Sequence, residues 1–292
     1  MSNYDKIPAF AIVGHPNEGK SSVVSTLAEN DNVRISAVPG ETLICETYPV
    51  FIDGKEIIRF IDTPGFQNPK KILQWLKNHE NLNENLIASF IDTHISNPDM
   101  TQDCELLSPI AKGAGIIYVV DGSRPLRSVD EAEMEILRLS GAPRMAVINL
   151  KEDETQYLSE WKTAFRLHFN SIRSFNAHQA TYAERISLLE SLKGIDQDWI
   201  GPLSTVISAF KADWAHRTLR STEIIIKMLS DSLEYSVHKN FSENTSEEDL
   251  KNKLFDKYTR AIEKIENQSH QKIKGLYKHN IFNYDLPEHS II

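Results

Sequence analysis

Residues 14–22 read Gly14-His15-Pro16-Asn17-Glu18-Gly19-Lys20-Ser21-Ser22 and follow the apolar run 9–13 without a gap. This spacing of two glycines, a lysine and a serine builds a phosphate cradle. The glycines let the chain curl so that successive backbone N–H groups point inward, Lys20 supplies a point charge for the β- and γ-phosphates, and Ser21 offers a hydroxyl to Mg²⁺. A second group, Asp62-Thr63-Pro64-Gly65, closes another apolar run. Beside a phosphate cradle, Asp62 would hold Mg²⁺ through a water and the N–H of Gly65 would bond a γ-phosphate oxygen. Between the two lies the polar, turn-rich stretch Val38-Pro39-Gly40-Glu41-Thr42, which makes Thr42 the candidate second hydroxyl on the metal. Asp-Thr-Pro-Gly alone is also an ordinary turn, and Thr42 alone an ordinary loop threonine.

These groups need a scaffold, and the apolar pattern describes one. Apolar runs alternate with helical patterns through the first two thirds of the chain, as in a sheet flanked by helices. Strands are expected over 9–13, 47–52, 56–61, 116–121, 144–149 and 172–176. Asp53-Gly54 between the second and third is a hairpin signal, so that pair is expected antiparallel and the rest parallel. The fold class is therefore α/β, with a six-stranded mostly parallel sheet followed by an α-helical extension. Residues 1–195 are expected to form the first domain and 196–292 a helical one. A helical insert is expected at about 67–113: Pro69 opens a helix carrying Ile72, Leu73, Trp75 and Leu76, and Leu82, Leu86, Ile87, Phe90 and Ile91 repeat at helical spacing. Leu106, Leu107 and Ile110 form a third segment closed by Gly113. The insert either caps the core or moves a partner-binding surface with nucleotide state. Tyr157, Trp161, Phe165 and Phe169 read as core.

Taken together, these residues resemble the Era-like (TrmE/Era/EngA-type) branch of the translation-factor-related GTPases, which use GxPNxGKS, a PGTT-like switch and DTPG. The resemblance covers about residues 8–180. The stretches HPNEGKSSVVSTLAE, PGET, DTPGFQNP and VVDGSRPLR look like a bacterial group in which such a domain precedes a helical domain of unknown function. The resemblance implies a P-loop GTPase fold, GTP and GDP as ligands, Mg²⁺ on Ser21, Thr42 and Asp62, and hydrolysis of GTP to GDP and phosphate in a nucleotide-dependent switch.

Two positions depart from that pattern. The guanine-reading Asn-Lys-x-Asp is here Asn149-Leu150-Lys151-Glu152-Asp153: Asn149 is in place, Lys151 is displaced by one, and the carboxylate is Glu152 in register or Asp153 one step late. Phe175-Asn176-Ala177 resembles the loop whose backbone N–H meets the guanine carbonyl, and also reads as a plain strand end. The residue after Gly65, a water-orienting glutamine in many GTPases, is Phe66, with Gln67 one residue late. Era-like relatives with an apolar residue there often use K⁺, held in part by a P-loop asparagine, and Asn17 matches it by position. Arg34 as an internal finger is the weaker alternative. His15 reads as a loop-lining side chain within the cradle. The expected catalytic set is thus Lys20, Thr42, Gly65 and Asn17. The nucleotide contacts are residues 14–22, Asp62, Gly65, Asn149, Lys151, Glu152, Asn176 and Ala177. Two other readings share the cradle: an ATPase, suggested by the altered base motif, and a weakly hydrolysing nucleotide-dependent scaffold, suggested by Phe66.

Composition fits this picture. The 292 residues are 40% apolar and 25% charged, enough for one full core and a smaller appendage. Cys45 and Cys104 stand in no metal-ligand spacing, and no zinc site is expected. The first residues lack a basic region followed by an apolar one, and no apolar run approaches the roughly 20 residues that span a bilayer. The expected location is cytoplasmic, with peripheral membrane association left open. A net charge of −9 gives no strong nucleic-acid signal. Leu250, Leu254, Tyr258, Ile262 and Ile265 outline a narrow helical stripe that docks, pairs with a second copy in a nucleotide-dependent dimer, or meets a protein partner. The chain end after Leu286 carries no helix-stop signal, as in a piece of a longer protein.

Overall fold

The computed structural model describes residues 7–28, 42–80, 85–150, 156–176, 182–239 and 246–277. Six strands, β1 (Ala9–Val13), β2 (Glu46–Ile52), β3 (Lys55–Asp62), β4 (Gly115–Asp121), β5 (Arg144–Asn149) and β6 (Ser171–Phe175), form one sheet in the order β2-β3-β1-β4-β5-β6. Each coincides with an expected strand to within one residue at either end. β1, β4 and β5 are buried on both faces, which is why they read as continuous apolar runs. β2 pairs antiparallel to β3 at the sheet edge, and all other pairs are parallel. Its edge position tolerates Pro49, which has no N–H to give to a ladder. Asp53 and Gly54 both take positive φ, at 52° and 75°, as a two-residue hairpin turn requires.

The helices are α1 (Lys20–Ala28), α2 (Pro69–Asn78), α3 (Leu86–His94), α4 (Thr101–Ala111), α5 (Ser128–Leu139), α6 (Leu158–Phe165), α7 (Tyr182–Lys193), α8 (Ile200–Glu234) and α9 (Glu247–Leu276). Helices α2 to α4 occupy the expected insert. Proline opens α2 at its first turn, and the Asn85 side chain caps α3 by accepting from the Ala88 N–H. Ile72, Leu76, Ile87, Phe90, Leu106, Leu107 and Ile110 share one core with Ala11, Val13, Ile116, Tyr118 and Val120 of the sheet. The apolar faces of the insert therefore complete the core. Leu82 lies outside the described residues. Trp161 and Phe165 are fully buried in the same core, as their spacing predicted.

Contacts divide the chain into Met1–Ala209 and Phe210–Ile292. Beyond residue 195, Trp199 packs edge-on against Phe10 of β1 at 4.7 Å, and Leu203, Val206 and Ile207 are buried. Those residues begin a helix in sequence pattern yet belong to the first unit by packing. In the second unit, the remainder of α8 and α9 run antiparallel. Tyr235 meets Tyr258 at one end, while Trp214 and Ser221 meet Tyr277 at the other. Met228, Leu250 and Ile262 are buried, and Leu219, Ile226, Leu233 and Phe255 are exposed. No helix among the described residues is long and apolar enough to cross a membrane.

Trp161 provides the test of this core. Its ring is buried, its Nε1 donates to the Arg124 carbonyl at 2.8 Å, and the Arg124 guanidinium lies 5.0 Å above the ring centroid. Trp161→Ala is expected to cost about 3–5 kcal/mol in urea unfolding, whereas Phe255→Ala, at an exposed site, is expected to stay within about 0.5 kcal/mol. Equal effects at the two positions would contradict this core assignment.

Candidate functional site

Five parallel strands end on one edge of the sheet, with Ile12 level with Asp62, Val13 with Tyr118, Asp121 with Asn149, and Asn149 with Phe175. In open α/β sheets this carboxyl edge is where ligands bind. The loop from Gly14 to Gly19 leaves β1 there and feeds α1 at Lys20. Asn17 turns the loop at φ 68°, a left-handed conformation that asparagine accepts more readily than most residues. Gly19 has φ 91°, and a Cβ on it would fall 2.2 Å from Asn149 Nδ2. That closeness lets the Asn149 amide donate to the Glu18 carbonyl at 3.1 Å, binding the end of β5 to the loop.

The first charged cluster forms where α1 meets β3. Ser21 Oγ donates to Asp62 Oδ2 at 2.6 Å, and Lys20 Nζ donates to the His15 carbonyl at 3.0 Å across the loop. Asp62 is buried, and its Oδ1 has no hydrogen-bond partner among the described residues. Burial pushes the Asp62 carboxyl up, opposed by the Ser21 hydroxyl and the Lys20 ammonium. Burial likewise lowers the Lys20 pKa, opposed by Asp62, Glu133 and Glu18. A hydroxyl and a carboxylate side by side, with one buried carboxylate oxygen unsatisfied, form a donor set suited to Mg²⁺ and its waters. Thr42, half-buried in the segment before β2, is hydrogen-bonded to neither.

The second loop starts under tight control. Thr63 is buried and its hydroxyl donates to the Ile12 carbonyl at 2.8 Å. Gly65 lies against Pro16, where a Cβ would sit 2.6 Å from the ring, so only glycine brings this N–H so close to the cradle. The next side chain, Phe66, is buried in the core, and its N–H reaches the Gly14 carbonyl at 3.4 Å. Gln67 turns its amide back onto the Gly65 carbonyl at 3.0 Å. Asn176 is described and half-buried, held near Asn149 by the Leu150 N–H to Phe175 carbonyl bond of 2.9 Å. Lys151, Glu152, Asp153, Ala177, Arg34 and residues 38–41 lie outside the described residues.

Two buried acids shape the loop in ways the motif did not reveal. The Glu18 side chain points away from the cradle, accepting from Arg124 Nε at 2.8 Å and from the Asp121 N–H, while Arg124 also pairs with Asp130 at 2.7 Å. The His15 ring is not a free lining group: Nδ1 contacts Glu133 Oε1 at 3.0 Å, and Tyr118 donates to the other oxygen at 2.8 Å. Asp130 and Glu133 sit on the buried stripe of α5 among Met134 and Leu137. Acids on an apolar stripe are a sequence signal for buried ionic partners, since an unpaired buried charge is costly.

The geometry defines a P-loop nucleotide-binding α/β domain. Residues 9–150 match the family described as 50S ribosome-binding GTPase, and residues 162–292 match a domain of unknown function, DUF3482. The chain is 28% identical over 252 residues to GTPase Era of Borrelia turicatae, covering 84% of this chain and 75% of that protein. It is 46% identical over 68 residues to GTPase Der of Agathobacter rectalis, covering 23% of this chain and only 15% of that protein. A solved structure of Era in complex with MgGDPNP and a 16S ribosomal RNA segment aligns with a TM-score of 0.46 at 18% identity, over 65% of this chain and 57% of that one. The chain carries an Era-like P-loop GTPase domain, followed by a helical region of the DUF3482 type.

Arg124 tests the ionic frame of the loop. Burial would raise the Asp130 carboxyl, but hydrogen bonds and charge from Arg124 and Arg127 outweigh it and hold the pKa below its ordinary 3.8. A depressed carboxylate stabilises the fold above its unfolded pKa, and that stabilisation is lost as pH falls through the folded value. Arg124→Ala leaves Glu18 and Asp130 only the more exposed Arg127, at 3.8 and 3.1 Å, and a loss of about 3 kcal/mol is expected at pH 7. The loss should shrink in unfolding titrations taken below pH 3.8. A deficit independent of pH would refute the ionic role.

Proposed function

We propose that this chain binds GTP with Mg²⁺ and hydrolyses it to GDP and phosphate, serving as a nucleotide-dependent switch in the cytoplasm. The observation that carries this reading is the 2.6 Å contact between Ser21 and Asp62, with Asp62 Oδ1 unpartnered and the Lys20 ammonium reaching over the same loop. Phosphoryl transfer depends on positioning and charge. Lys20 neutralises the β- and γ-phosphates, Ser21 and Asp62 hold the metal with Thr42 as its second hydroxyl, and the Gly65 N–H senses the γ-phosphate. Asn149 fixes the loop beneath the base, where Lys151, Glu152, Asn176 and Ala177 complete the guanine contacts. Mg²⁺ supplies charge neutralisation across the phosphates when bound.

Neither Phe66, locked in the core, nor Gln67, tied to the Gly65 carbonyl, orients a water. Charge on the transferring group must come from elsewhere, and Asn17, exposed at the loop tip, is the proposed K⁺ ligand. The proposed partner is a protein or a second copy engaged through the C-terminal helices. The exposed Leu219, Ile226 and Leu233 on α8 support this, and a net charge of −9 works against non-specific attraction to nucleic acid.

Titration calorimetry with Mg²⁺ and GDP is the direct test, with Lys20→Ala expected to weaken binding roughly 100-fold, about 2.7 kcal/mol. A tighter ADP than GDP complex would overturn the guanine assignment. Phosphate release is expected to be about tenfold or more faster in KCl than in NaCl, as for a charge doing part of an arginine finger's work. Asn17→Ala should erase the difference, and equal turnover in the two salts would remove K⁺ from the mechanism.

A further inference from the structure

Helix α4 grips both segments that flank the β2–β3 hairpin. On one side, the Asp103 carboxylate is wholly buried and, among the described residues, accepts its hydrogen bonds from the loop after Gly65. Its Oδ1 accepts from the Gln67 N–H at 2.8 Å, and its Oδ2 accepts from the Asn68 N–H and from Asn68 Nδ2, each at 3.1 Å. On the other side, Glu105 Oε1 accepts from the Cys45 N–H at 3.0 Å, and the Glu105 carbonyl accepts from the Cys45 thiol at 3.3 Å. Cys45 directly precedes β2 and stands three residues after Thr42. Burial, reinforced by Glu105, pushes the Cys45 thiol up to about 12, so it is a protonated donor at neutral pH.

Residues two apart on a helix face different sides, so Asp103 and Glu105 hold different segments from one rigid element. Rigidity comes from Leu106, Leu107 and Ile110, which bury the same helix in the sheet core. Buried Asp103 is also not replaceable by solvent: two successive backbone N–H groups would lose their acceptor, at the full desolvation penalty.

We propose that α4 is a coupling bar between the two phosphate-sensing segments, with Asp103 and Glu105 as positioning residues that make the Thr42 segment and the Gly65 loop respond together to the terminal phosphate. The inference rests on the GTP reading above and specifies how that site is regulated. A change at either loop alters the position or freedom of α4, and the other loop feels it through a hydrogen bond of about 3 Å. By linkage the effect is reciprocal.

Hydrogen exchange and affinity measurements on the full chain with Mg²⁺-GDP and Mg²⁺-GMPPNP test it. In the wild type, exchanging GDP for GMPPNP is expected to change protection in both segments, 42–48 and 63–69. Asp103→Asn should keep GDP affinity within about twofold, reduce the GMPPNP-to-GDP preference by about fivefold or more, and weaken the response at Cys45. Glu105→Ala should weaken the response at Gln67 and Asn68, leaving only what the Gly65 loop senses directly, and it reads the coupling by itself if Asp103→Asn does not fold. Wild-type responses in both segments of a folded variant would overturn the coupling bar while leaving the nucleotide reading intact. A wild type that binds neither nucleotide would overturn both.

Discussion

The site depends on keeping an almost fully buried carboxylate beside a hydroxyl and an ammonium. Asp62 has 3% of its surface exposed, and burial alone favours its neutral form. The Ser21 hydroxyl, bonded to Asp62, and the charge of the Lys20 ammonium work against that, and they come near it only because β3 runs beside β1 with Ile12 level with Asp62. A slip of one residue in that register would turn Asp62 to the opposite face of the sheet. The Thr63 hydroxyl, bonded to the Ile12 carbonyl, fixes the register at the residue where the loop begins. Strand pairing and phosphate chemistry are in this sense one constraint.

Around this centre, buried acids do the connecting. Glu18, Asp103, Asp130 and Glu133 are all buried, and each holds a loop rather than facing a ligand. Glu18 and Asp130 share Arg124, Glu133 holds the His15 ring, and Asp103 holds the backbone after Gly65. Such pairs add little net stability relative to apolar replacements, since desolvation offsets attraction, but losing one partner costs several kcal/mol. Their effect is therefore on the shape of the loops. The P-loop is fixed at both ends by them, at His15 and at Glu18.

What could be read from the sequence was what is local. All six strands were legible because their runs are short, apolar and bounded by turn residues, and the cradle was legible because its glycines, lysine and serine are contiguous. The contacts that position it were not. His15 and Glu133 are 118 residues apart, Glu18 and Arg124 are 106 apart, and Gln67 and Asp103 are 36 apart. No periodicity encodes such pairs. A related case is Trp199 and the first turns of α8, which have the pattern of a new helical segment yet bury their apolar face in the first unit. Sequence shows that a helix is amphipathic and not which surface it meets.

The second loop has few ways to respond to a phosphate. Upstream it is pinned by Thr63, and downstream by Phe66 in the core and by Asp103 on Gln67 and Asn68. Melting α2 would expose Ile72 and Leu76, at about 1.5–3 kcal/mol each and so roughly 3–6 kcal/mol in all. A hydrogen bond from the Gly65 N–H to a charged phosphate contributes about 1.5–3 kcal/mol. One such bond cannot unfold the helix. The response open to this loop is a small shift at Pro64 and Gly65, where the long 3.4 Å bond from Phe66 to the Gly14 carbonyl is the contact with most room to tighten. A shift of that size is read only by elements bonded directly to the loop, and α4, through Asp103, is one of them.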